Sequence, residues 1–350
     1  MARQIQVGGL PIGGGAPVSV QSMTNTRTDD AAATIEQIKI MKAAGCEIVR
    51  VAVPDMAAAK AIEQIKAAID IPLVADIHFD YKLAIAAVQA GADKIRINPG
   101  NIGDADRVKA VADACRAANV PIRVGVNGGS LEKSLLAKYG GVTAEALVES
   151  AMGQIALLNR FDFDDLCVSI KSSDVALTVA AYRLFSRQAD YPLHVGVTET
   201  GTEYMGLLKS AAGIGALLLD GIGDTIRISL TAPPERECIA GQSLLRALGL
   251  KKGVNVIACP SCGRCRYDLI GTANRVEQAL KDLDADISVA VMGCVVNGPG
   301  EARNADFGIA GGDGKGILFQ KGEIVETLPV EKLADVLIET VRKEYSGRNS

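Results

Sequence analysis

Short β-branched runs alternate with Ala-rich segments of helical period along most of this chain. The runs predict eight β-strands, namely Val18–Gln21, Ile48–Val53, Leu73–Ile77, Lys94–Asn98, Ile122–Val126, Leu166–Lys171, Leu193–Thr198 and Thr225–Leu230. The intervening segments predict helices over Asp29–Ala44, Met56–Ala68, Tyr81–Ala90, Ala105–Ala118, Ala144–Leu158, Val175–Arg187, Tyr204–Leu219 and Pro234–Leu248. Strand–helix units that repeat at roughly 25–30 residues favour a closed (β/α)8 TIM barrel over an open doubly wound sheet. No dinucleotide-binding fingerprint follows a strand, which weakens the open-sheet alternative.

The ends of the predicted helices carry capping signals. Thr28 and Asp29 are predicted to cap the first helix, and the segment Ser172–Asp174 offers the same chemistry later in the chain. Gly45 and Gly91 stand where helices are expected to end.

The character of the chain changes after about Leu250, where Lys251–Lys252–Gly253 indicates a linker. We therefore expect a barrel domain over residues 1–250 and a small α/β domain over residues 251–350. The elements expected in the second domain are a strand over Val254–Ala258, a helix over Thr272–Leu283, a strand over Ile287–Val291, turns at Gly311–Gly316 and Lys321–Gly322, and a helix over Glu331–Glu344.

Charge and hydropathy narrow the range of partners. The net charge is −4 and no basic stripe is present, so neither nucleic acid nor a membrane surface is indicated as a partner. The segment MARQIQVGGL lacks the apolar core of a signal peptide, and no apolar run approaches the roughly 18 residues that span a bilayer. We expect a cytoplasmic protein, in which the eight cysteines are thiols or metal ligands rather than disulfides.

Polar side chains gather at the predicted carboxyl ends of the barrel strands, where such barrels carry their chemistry. Pairs such as Arg96 and Asn98 are two residues apart, which puts both on one face of a strand. Five cations share this phase, and they are Arg50, Arg96, Arg123, Lys171 and Arg227. They would repel one another unless an anion lies among them, and a phosphate or diphosphate fits. The alternative is that several face outward or pair with Asp and Glu at the rim.

Four further groups at these strand ends can handle hydroxyls or protons, namely Asp76, His78, His194 and Glu199. For either histidine alone, a structural role is equally open.

The cysteines of the second domain are closely spaced. Cys259, Cys262 and Cys265 follow a predicted strand, and Cys294 stands in a second glycine-containing loop. Short turns of this kind converge several sulfurs on one centre and favour an iron–sulfur cluster, with a structural zinc site of four thiolates as the alternative. The other cysteines are interpreted as small buried apolar residues, and they are Cys46, Cys115, Cys167 and Cys238.

Nine segments together resemble the bacterial 4-hydroxy-3-methylbut-2-en-1-yl diphosphate synthases of the methylerythritol phosphate route to isoprenoids. They are VQSMTNT (20–26), VRVAVP (49–54), PLVADIHFDY (72–81), RINPGNIG (96–103), PIRVGVNGGSLEK (121–133), GIGDTIRISL (221–230), ACPSCGRC (258–265), DLIGT (268–272) and GCVVNGPGEA (293–302). The resemblance runs along nearly the whole chain, and the length fits the two-domain bacterial form.

The resemblance implies a reaction: two electrons open the ring of 2-C-methyl-D-erythritol 2,4-cyclodiphosphate and remove a hydroxyl as water, giving 4-hydroxy-3-methylbut-2-enyl diphosphate. It implies a homodimer, in which the cluster domain of one subunit closes over the barrel of the other, and reduced flavodoxin or ferredoxin as electron donor. It implies a [4Fe–4S] cluster held by Cys259, Cys262, Cys294 and Glu301. The implied diphosphate ligands are Arg50, Arg96, Arg123, Asn127, Lys171, Arg227 and Ser229, with Asp76, His78 and Glu199 near the carbon skeleton.

Cys265 departs from the family pattern, since a member of the family has a residue without a thiol at this place. It could compete with Glu301 as the fourth cluster ligand, and we favour Glu301 because the reaction needs an iron that substrate oxygen can reach. Two other functions stay open at this point: an iron–sulfur hydro-lyase acting on a sugar phosphate, and a non-enzymatic zinc or electron-carrier module.

Overall fold

A computed structural model of the chain describes residues 2–294, 300 and 303–345. The chain forms two compact units, of which the first ends at Leu248 and the second begins at Gly249. None of the helices in the described ranges has the length and apolar character needed to cross a lipid bilayer.

The first unit is built around eight parallel strands. After an N-terminal hairpin of β1 (Ile5–Val7) and β2 (Leu10–Ile12), these strands are β3 (Ser19–Met23), β4 (Ile48–Ala52), β5 (Leu73–Asp76), β6 (Lys94–Ile97), β7 (Ile122–Asn127), β8 (Leu166–Lys171), β9 (His194–Val195) and β10 (Thr225–Ile226). Their order in the sheet is β8-β7-β6-β5-β4-β3-β10-β9. A parallel bridge between Val168 and Leu193 joins the two outer strands of this order. The predicted closed barrel is therefore confirmed.

The helices that follow the strands cover the barrel. They are α1 (Ala31–Ala43), α2 (Met56–Ala68), α3 (Tyr81–Gln89), α4 (Pro99–Ile102), α5 (Ala105–Ala117), α6 (Lys133–Tyr139), α7 (Ala144–Asn159), α8 (Val175–Ser186), α9 (Glu203–Leu219) and α10 (Pro234–Ala247). Their buried Ala, Val, Ile and Leu side chains pack on the strands in one continuous core, and aromatic residues make up only 4% of the chain. The predicted cap of α1 was wrong: Asp30 is the cap, and its Oδ1 accepts from the Ala33 amide at 3.1 Å. The Thr28 hydroxyl instead donates to the Ala52 carbonyl at 2.6 Å, and this tertiary contact directs it away from the amino terminus of α1.

The N-terminal hairpin closes one end of the barrel. Ile5, Val7 and Ile12 are buried against Ile48 and against two other strand side chains at the same end, Val74 and Cys167. Ile48 is the first residue of β4, so the hairpin covers the amino-terminal end of the strands and leaves the carboxyl ends for the site.

In the described residues, the second unit contains a five-stranded mixed sheet and two long α-helices. Its elements are β11 (Val254–Ala258), α11 (Leu269–Leu280), β12 (Ile287–Met292), β13 (Phe307–Gly311), β14 (Lys315–Gln320), β15 (Glu323–Pro329) and α12 (Leu333–Tyr345). The strands β11, β12 and β13 are parallel, and β13, β14 and β15 are antiparallel. The predicted turn at Lys321–Gly322 is confirmed, whereas the turn predicted over Gly311–Gly316 is shorter, at residues 312–314, because Gly311 and Gly316 pair within the strands. Helix α11 begins three residues earlier than the predicted Thr272, because the Asp268 carboxylate caps it by accepting from the Gly271 amide at 2.9 Å.

Candidate active site

Three neighbouring strands place charged side chains side by side inside the barrel. Asp76, Arg96 and Arg123 are register partners across β5, β6 and β7. Arg96 Nη1 donates to Asp76 Oδ1 at 3.1 Å, and Arg50 Nε on β4 lies 3.9 Å from Asp76 Oδ2. One carboxylate thus lies between two guanidinium groups.

Asp76 is held in its ionised form. Burial alone would raise the pKa of its carboxyl, but the charges of Arg50, Arg96 and Arg123, with His78, bring the pKa below its ordinary value. Asp76 can therefore accept hydrogen bonds from a ligand hydroxyl near neutral pH.

His78 and Asn127 extend this group toward the opening. His78 Nε2 lies 3.4 Å from Arg96 Nη1 and 4.0 Å from Asp76 Oδ2, and its side chain is exposed. The Asn127 amide, oriented with its oxygen toward Arg96, accepts from Arg96 Nη2 at 3.3 Å. Arg96 is thus the centre of a fixed polar group in which Asp76, His78 and Asn127 surround one guanidinium.

Arg227 has a partner that the sequence analysis missed. Its Nε and Nη2 donate to the two carboxylate oxygens of Glu237 at 3.0 and 3.2 Å, which is a bidentate pair. Glu237 lies in the first turn of α10 and also accepts from Ser22 Oγ at 2.6 Å. The available signal was the helical pattern, because Glu237 interrupts a buried stripe that includes Pro234, Cys238, Gly241 and Leu245.

Arg123 and Lys171 have no carboxylate within ion-pair distance among the described residues. Arg123 is 1% exposed, and its Nε and Nη1 have no hydrogen-bond partner. Burial and the charge of Arg96 lower the pKa of Arg123 to about 10. Burial, followed by the charges of Arg123, Arg50, Arg227 and Arg96, lowers the pKa of Lys171 well below its ordinary value. Five cations therefore lie near two carboxylates, those of Asp76 and Glu237, and the surplus positive charge calls for an anion.

Two glycines make room for these cations. A Cβ at Gly125 would lie 2.5 Å from Arg96 Nε, and a Cβ at Gly196 would lie 2.9 Å from Lys171 Nζ. Side chains at these two places would push the cations out of the cluster.

Ser229 and Glu199 are not joined to this group by any hydrogen bond or ion pair within the described ranges. Glu199 is exposed and has a positive φ of 53°. The neighbouring Thr200 hydroxyl donates to the Ser229 carbonyl, so the loops after β9 and β10 are tied to each other. His194 lies deeper than the sequence analysis placed it, since it is fully buried and neither ring nitrogen has a partner.

The cysteine loops of the second unit follow two adjacent parallel strands. Ala258 and Val291 are register partners, so Cys259 and the Gly293–Cys294 turn emerge at the same edge of the sheet. The Gly293 amide donates to Cys259 Sγ at 3.0 Å. A Cβ at Gly293 would lie 3.3 Å from the sulfurs of both Cys259 and Cys265, so a side chain here would crowd the place where these thiols converge.

The donor set fits an iron–sulfur cluster, because none of the cysteines on these short turns is in a disulfide and the sulfurs of Cys259 and Cys265 converge on the residue before Cys294. In the part of the chain that the structure describes, no three Cys, His, Asp or Glu side chains are arranged closely enough to hold a single metal ion. Cys262 is exposed and Cys294 is half-buried. Glu301 lies outside the described residues. The barrel cysteines are all buried, as predicted.

Comparison with known proteins agrees with both units. The family model described as the GcpE TIM-barrel domain matches residues 2–242, and the one described as the GcpE protein C-terminal domain matches residues 255–343. The chain belongs to the GcpE family. The family predicted from the sequence motifs is therefore confirmed.

Relatives of this GcpE chain match it nearly end to end. A protein of Geobacter sulfurreducens is 58% identical over 342 residues, with 97% of each chain covered. A protein of Caldicellulosiruptor saccharolyticus is 56% identical over 345 residues, with 99% of each chain covered. Both are named 4-hydroxy-3-methylbut-2-en-1-yl diphosphate synthase (flavodoxin).

Among solved structures, the type I 3-dehydroquinate dehydratase of Clostridium difficile aligns with a TM-score of 0.50 at 17% identity, covering 71% of this chain and 97% of that chain. That likeness shows a shared fold only.

Proposed function

We propose that this chain catalyses the reductive ring opening and dehydration of 2-C-methyl-D-erythritol 2,4-cyclodiphosphate to 4-hydroxy-3-methylbut-2-enyl diphosphate, a step in isoprenoid precursor synthesis. The names of the relatives support this reaction, because these relatives match almost the full length of the chain. The observation that carries the substrate class is the surplus of buried cations inside the barrel, because a diphosphate supplies the missing negative charge.

The barrel side chains divide the work. Arg123 and Lys171, which lack carboxylate partners among the described residues, would bind the diphosphate oxygens directly. Arg50, Arg96 and Asn127 would orient it, as would Arg227, which Glu237 holds in place. Opening the ring leaves more negative charge on the diphosphate than the cyclic substrate carries. Fixed cations therefore stabilise the developing charge without reorganising.

The groups near the carbon skeleton would handle its hydroxyls. Asp76 stays ionised among its arginines, so it would accept a hydrogen bond from a substrate hydroxyl. His78 is exposed beside Asp76 and Arg96, where it could supply a proton to the hydroxyl that leaves as water. Glu199 and Ser229 would join the site from the loops after β9 and β10.

The second unit would carry the electron-transfer group. Cys259, Cys262 and Cys294, with Glu301, would hold a [4Fe–4S] cluster that passes the two electrons of the reaction, one at a time, from the donor to the substrate. We propose residues 1–250 as the substrate domain and residues 251–350 as the cluster domain. Reduced flavodoxin is the proposed donor, as the names of the relatives suggest, with ferredoxin as the alternative donor. We also propose that two chains assemble as a homodimer.

Anaerobic turnover of the cyclodiphosphate tests this function. The holoenzyme should form 4-hydroxy-3-methylbut-2-enyl diphosphate only when a reductant is present, and about four irons per chain should be found. Cys259→Ser should lose most of the iron and the activity, whereas Cys115→Ser, a buried barrel thiol, should keep both. Turnover without any reductant would favour a hydro-lyase. A colourless, fully active protein with stoichiometric zinc would exclude the cluster.

A further inference from the structure

A second polar layer lies inside the barrel below the cation cluster. Ser19, Thr225 and His194 are register partners on three adjacent strands, and Lys94 begins β6 two residues before Arg96. Residues two apart face the same side of a strand, so Lys94 points into the barrel one layer beneath Arg96. All four side chains are buried, and within the described ranges they carry polar atoms without hydrogen-bond partners.

Lys94 is the most unusual member of this layer. It is 0% exposed, and Nζ has neither a hydrogen-bond partner nor a carboxylate within ion-pair distance in the described ranges. The titratable and charged groups that face it are Cys167 on β8, Arg123 on β7, Arg50 on β4 and His194 on β9. None of these carries a compensating negative charge near neutral pH, because burial raises the pKa of the Cys167 thiol.

The ammonium form of Lys94 is therefore less stable in the free protein than that of a lysine in water. Burial lowers the pKa of Lys94 to about 8; a charged Cys167 would oppose this shift, and Arg123 and Arg50 reinforce it. His194 stays neutral, because burial and the charges of Lys171, Arg123, Lys94 and Arg50 lower its pKa well below the ordinary value.

We propose that Lys94 is a further residue of the anion site, which takes up a proton from solvent when the cyclodiphosphate binds. The inference rests on the proposed function. A diphosphate bound at Arg123 places negative charge above Lys94 and offsets the repulsion from the cations around it. Protonation of Lys94 then adds positive charge beneath the ligand. Lys94 acts through Arg123 and through the local field rather than by contact, so it is a positioning residue.

The sign of the pH dependence follows from this coupling. Well below pH 8 Lys94 is already protonated in the free protein, so ligand binding is accompanied by little proton uptake. Near pH 8 the free amine is about half protonated, and a rise of about one unit in its pKa corresponds to an uptake of about 0.4 proton per ligand. The cyclic diphosphate has only strongly acidic groups, which are ionised throughout this range, so the ligand contributes no proton. Affinity should fall as pH rises from 7 to 9, in proportion to the uptake.

Calorimetric titration of the holoenzyme with 2-C-methyl-D-erythritol 2,4-cyclodiphosphate, without reductant, tests the proposal. Repeating the titration in buffers of different ionisation heat gives the number of protons taken up. Wild type should take up protons at pH 8 and almost none at pH 6.5. Lys94→Met, a neutral side chain of similar length, should take up none at pH 8, and its dissociation constant at pH 7 should be up to about tenfold weaker. Lys60→Met, which removes an exposed lysine from α2, is the matched control and should behave as wild type.

The outcomes separate this proposal from the proposed function. If the cyclodiphosphate does not bind at all, the proposed function fails. Binding with no proton uptake by wild type at pH 8 overturns the role of Lys94, and this reading does not depend on any variant folding. Uptake that persists unchanged in Lys94→Met overturns it as well, because the proton would then belong to another group.

Discussion

Arg123 and Arg227 both project into the cation cluster, yet their surroundings differ in a way that experiments can separate. In the described part of the chain, two nitrogens of Arg123 have no hydrogen-bond partner, whereas Arg227 donates to both carboxylate oxygens of Glu237. Replacing Arg123 would remove a proposed ligand contact, and no described protein group would lose a hydrogen-bond partner. Replacing Arg227 also leaves the Glu237 carboxylate buried without its counter-ion, which is the costly outcome for a buried pair.

We therefore expect Arg123→Met to weaken cyclodiphosphate binding by roughly 1.5–3 kcal/mol, with no loss of thermal stability. Arg227→Met should weaken binding by a similar amount and also lower the melting temperature. The double variant Arg227→Met/Glu237→Gln should recover stability but not binding, because the amide removes the unpaired charge. Calorimetry and thermal melts check these expectations, and iron content should stay normal throughout. Equal melting temperatures for the two single variants would contradict the assigned difference.

Lys94 makes a separate prediction about stability. A base whose folded pKa is lowered destabilises the fold at pH values where the unfolded chain is protonated. This cost is complete below about pH 8 and fades as pH rises toward the unfolded value of 10.5. Lys94→Met should therefore raise the free energy of unfolding by roughly 2–3 kcal/mol at pH 7 and by much less at pH 9.5. Urea unfolding at the two pH values measures the difference, and a gain independent of pH would point to packing instead.

Substitutions of Cys265 and of Glu301 are expected to have opposite effects on the proposed cluster and its activity. Cys265 Sγ lies beside the Gly293 turn and within 3.3 Å of the Tyr267 carbonyl, to which it can donate. We expect Cys265→Ser to keep both iron and activity. Glu301→Cys should hold a stable cluster yet turn over poorly, because a thiolate gives up its place on iron less readily than a carboxylate. Iron analysis and the electron paramagnetic resonance spectrum of the reduced protein are the measurements. Loss of iron in Cys265→Ser, with normal turnover of Glu301→Ala, would indicate four cysteine ligands.

The local sequence pattern predicts the helices and strands of the barrel well, and it predicts the residues at which they begin and end less well. The bounds of α2 and β8 agree with the sequence prediction, because α2 has a regular helical pattern of buried residues and β8 is a short run that is buried throughout. The cap of α1 was misassigned because Thr28, Asp29 and Asp30 offer similar capping chemistry, and only the tertiary bond from Thr28 to Ala52 decides among them. The spacing of two residues also predicted that the polar side chains at the carboxyl ends of the strands point into the barrel.

The hydrogen-bond and ion-pair partners of these strand-end side chains were not predictable in the same way. Glu237 reaches Arg227 from a helix, and no local spacing reports such a contact. The depth of Lys94 in the barrel likewise emerges only once the strands are aligned, since its spacing from Arg96 gives its phase and not its surroundings.

The N-terminal hairpin is an element whose contribution can be tested apart from the site. Ile12 is fully buried at the amino-terminal end of the barrel, and Gln6 lies exposed on the same hairpin. Ile12→Ala should lower the free energy of unfolding by roughly 2–5 kcal/mol, as expected for truncation of a buried isoleucine. Gln6→Ala should change it little. Substrate affinity and iron content should match wild type in both variants, because the anion site is at the other end of the strands. A specific loss of affinity in Ile12→Ala would show that the hairpin also shapes the mouth.

At the scale of the whole molecule, the anion site and the cysteine loops belong to separate compact units of one chain. In the homodimer that the family resemblance implies, the cluster domain of one chain would close over the barrel of the other. Arg123→Met chains keep a working cluster domain, and Cys262→Ser chains keep a working barrel. A heterodimer of the two would therefore contain one complete site and one site with both defects.

Random exchange of these two inactive variants should restore about a quarter of wild-type activity per chain, since half of the dimers are mixed and half of their sites are complete. The double variant Arg123→Met/Cys262→Ser gives the opposite test when it is mixed with wild type. If sites form across the dimer, each site of a mixed dimer combines an intact domain of the wild-type chain with a defective domain of the double variant, and both sites are inactive. Half of the wild-type chains in an equal mixture are in such dimers, so activity per wild-type chain should fall by about half. If sites form within one chain, the two single variants should recover nothing, and the double variant should leave the activity of wild-type chains unchanged. Native mass spectrometry of the mixtures confirms the exchange, and activity measured on the same samples decides between the two arrangements.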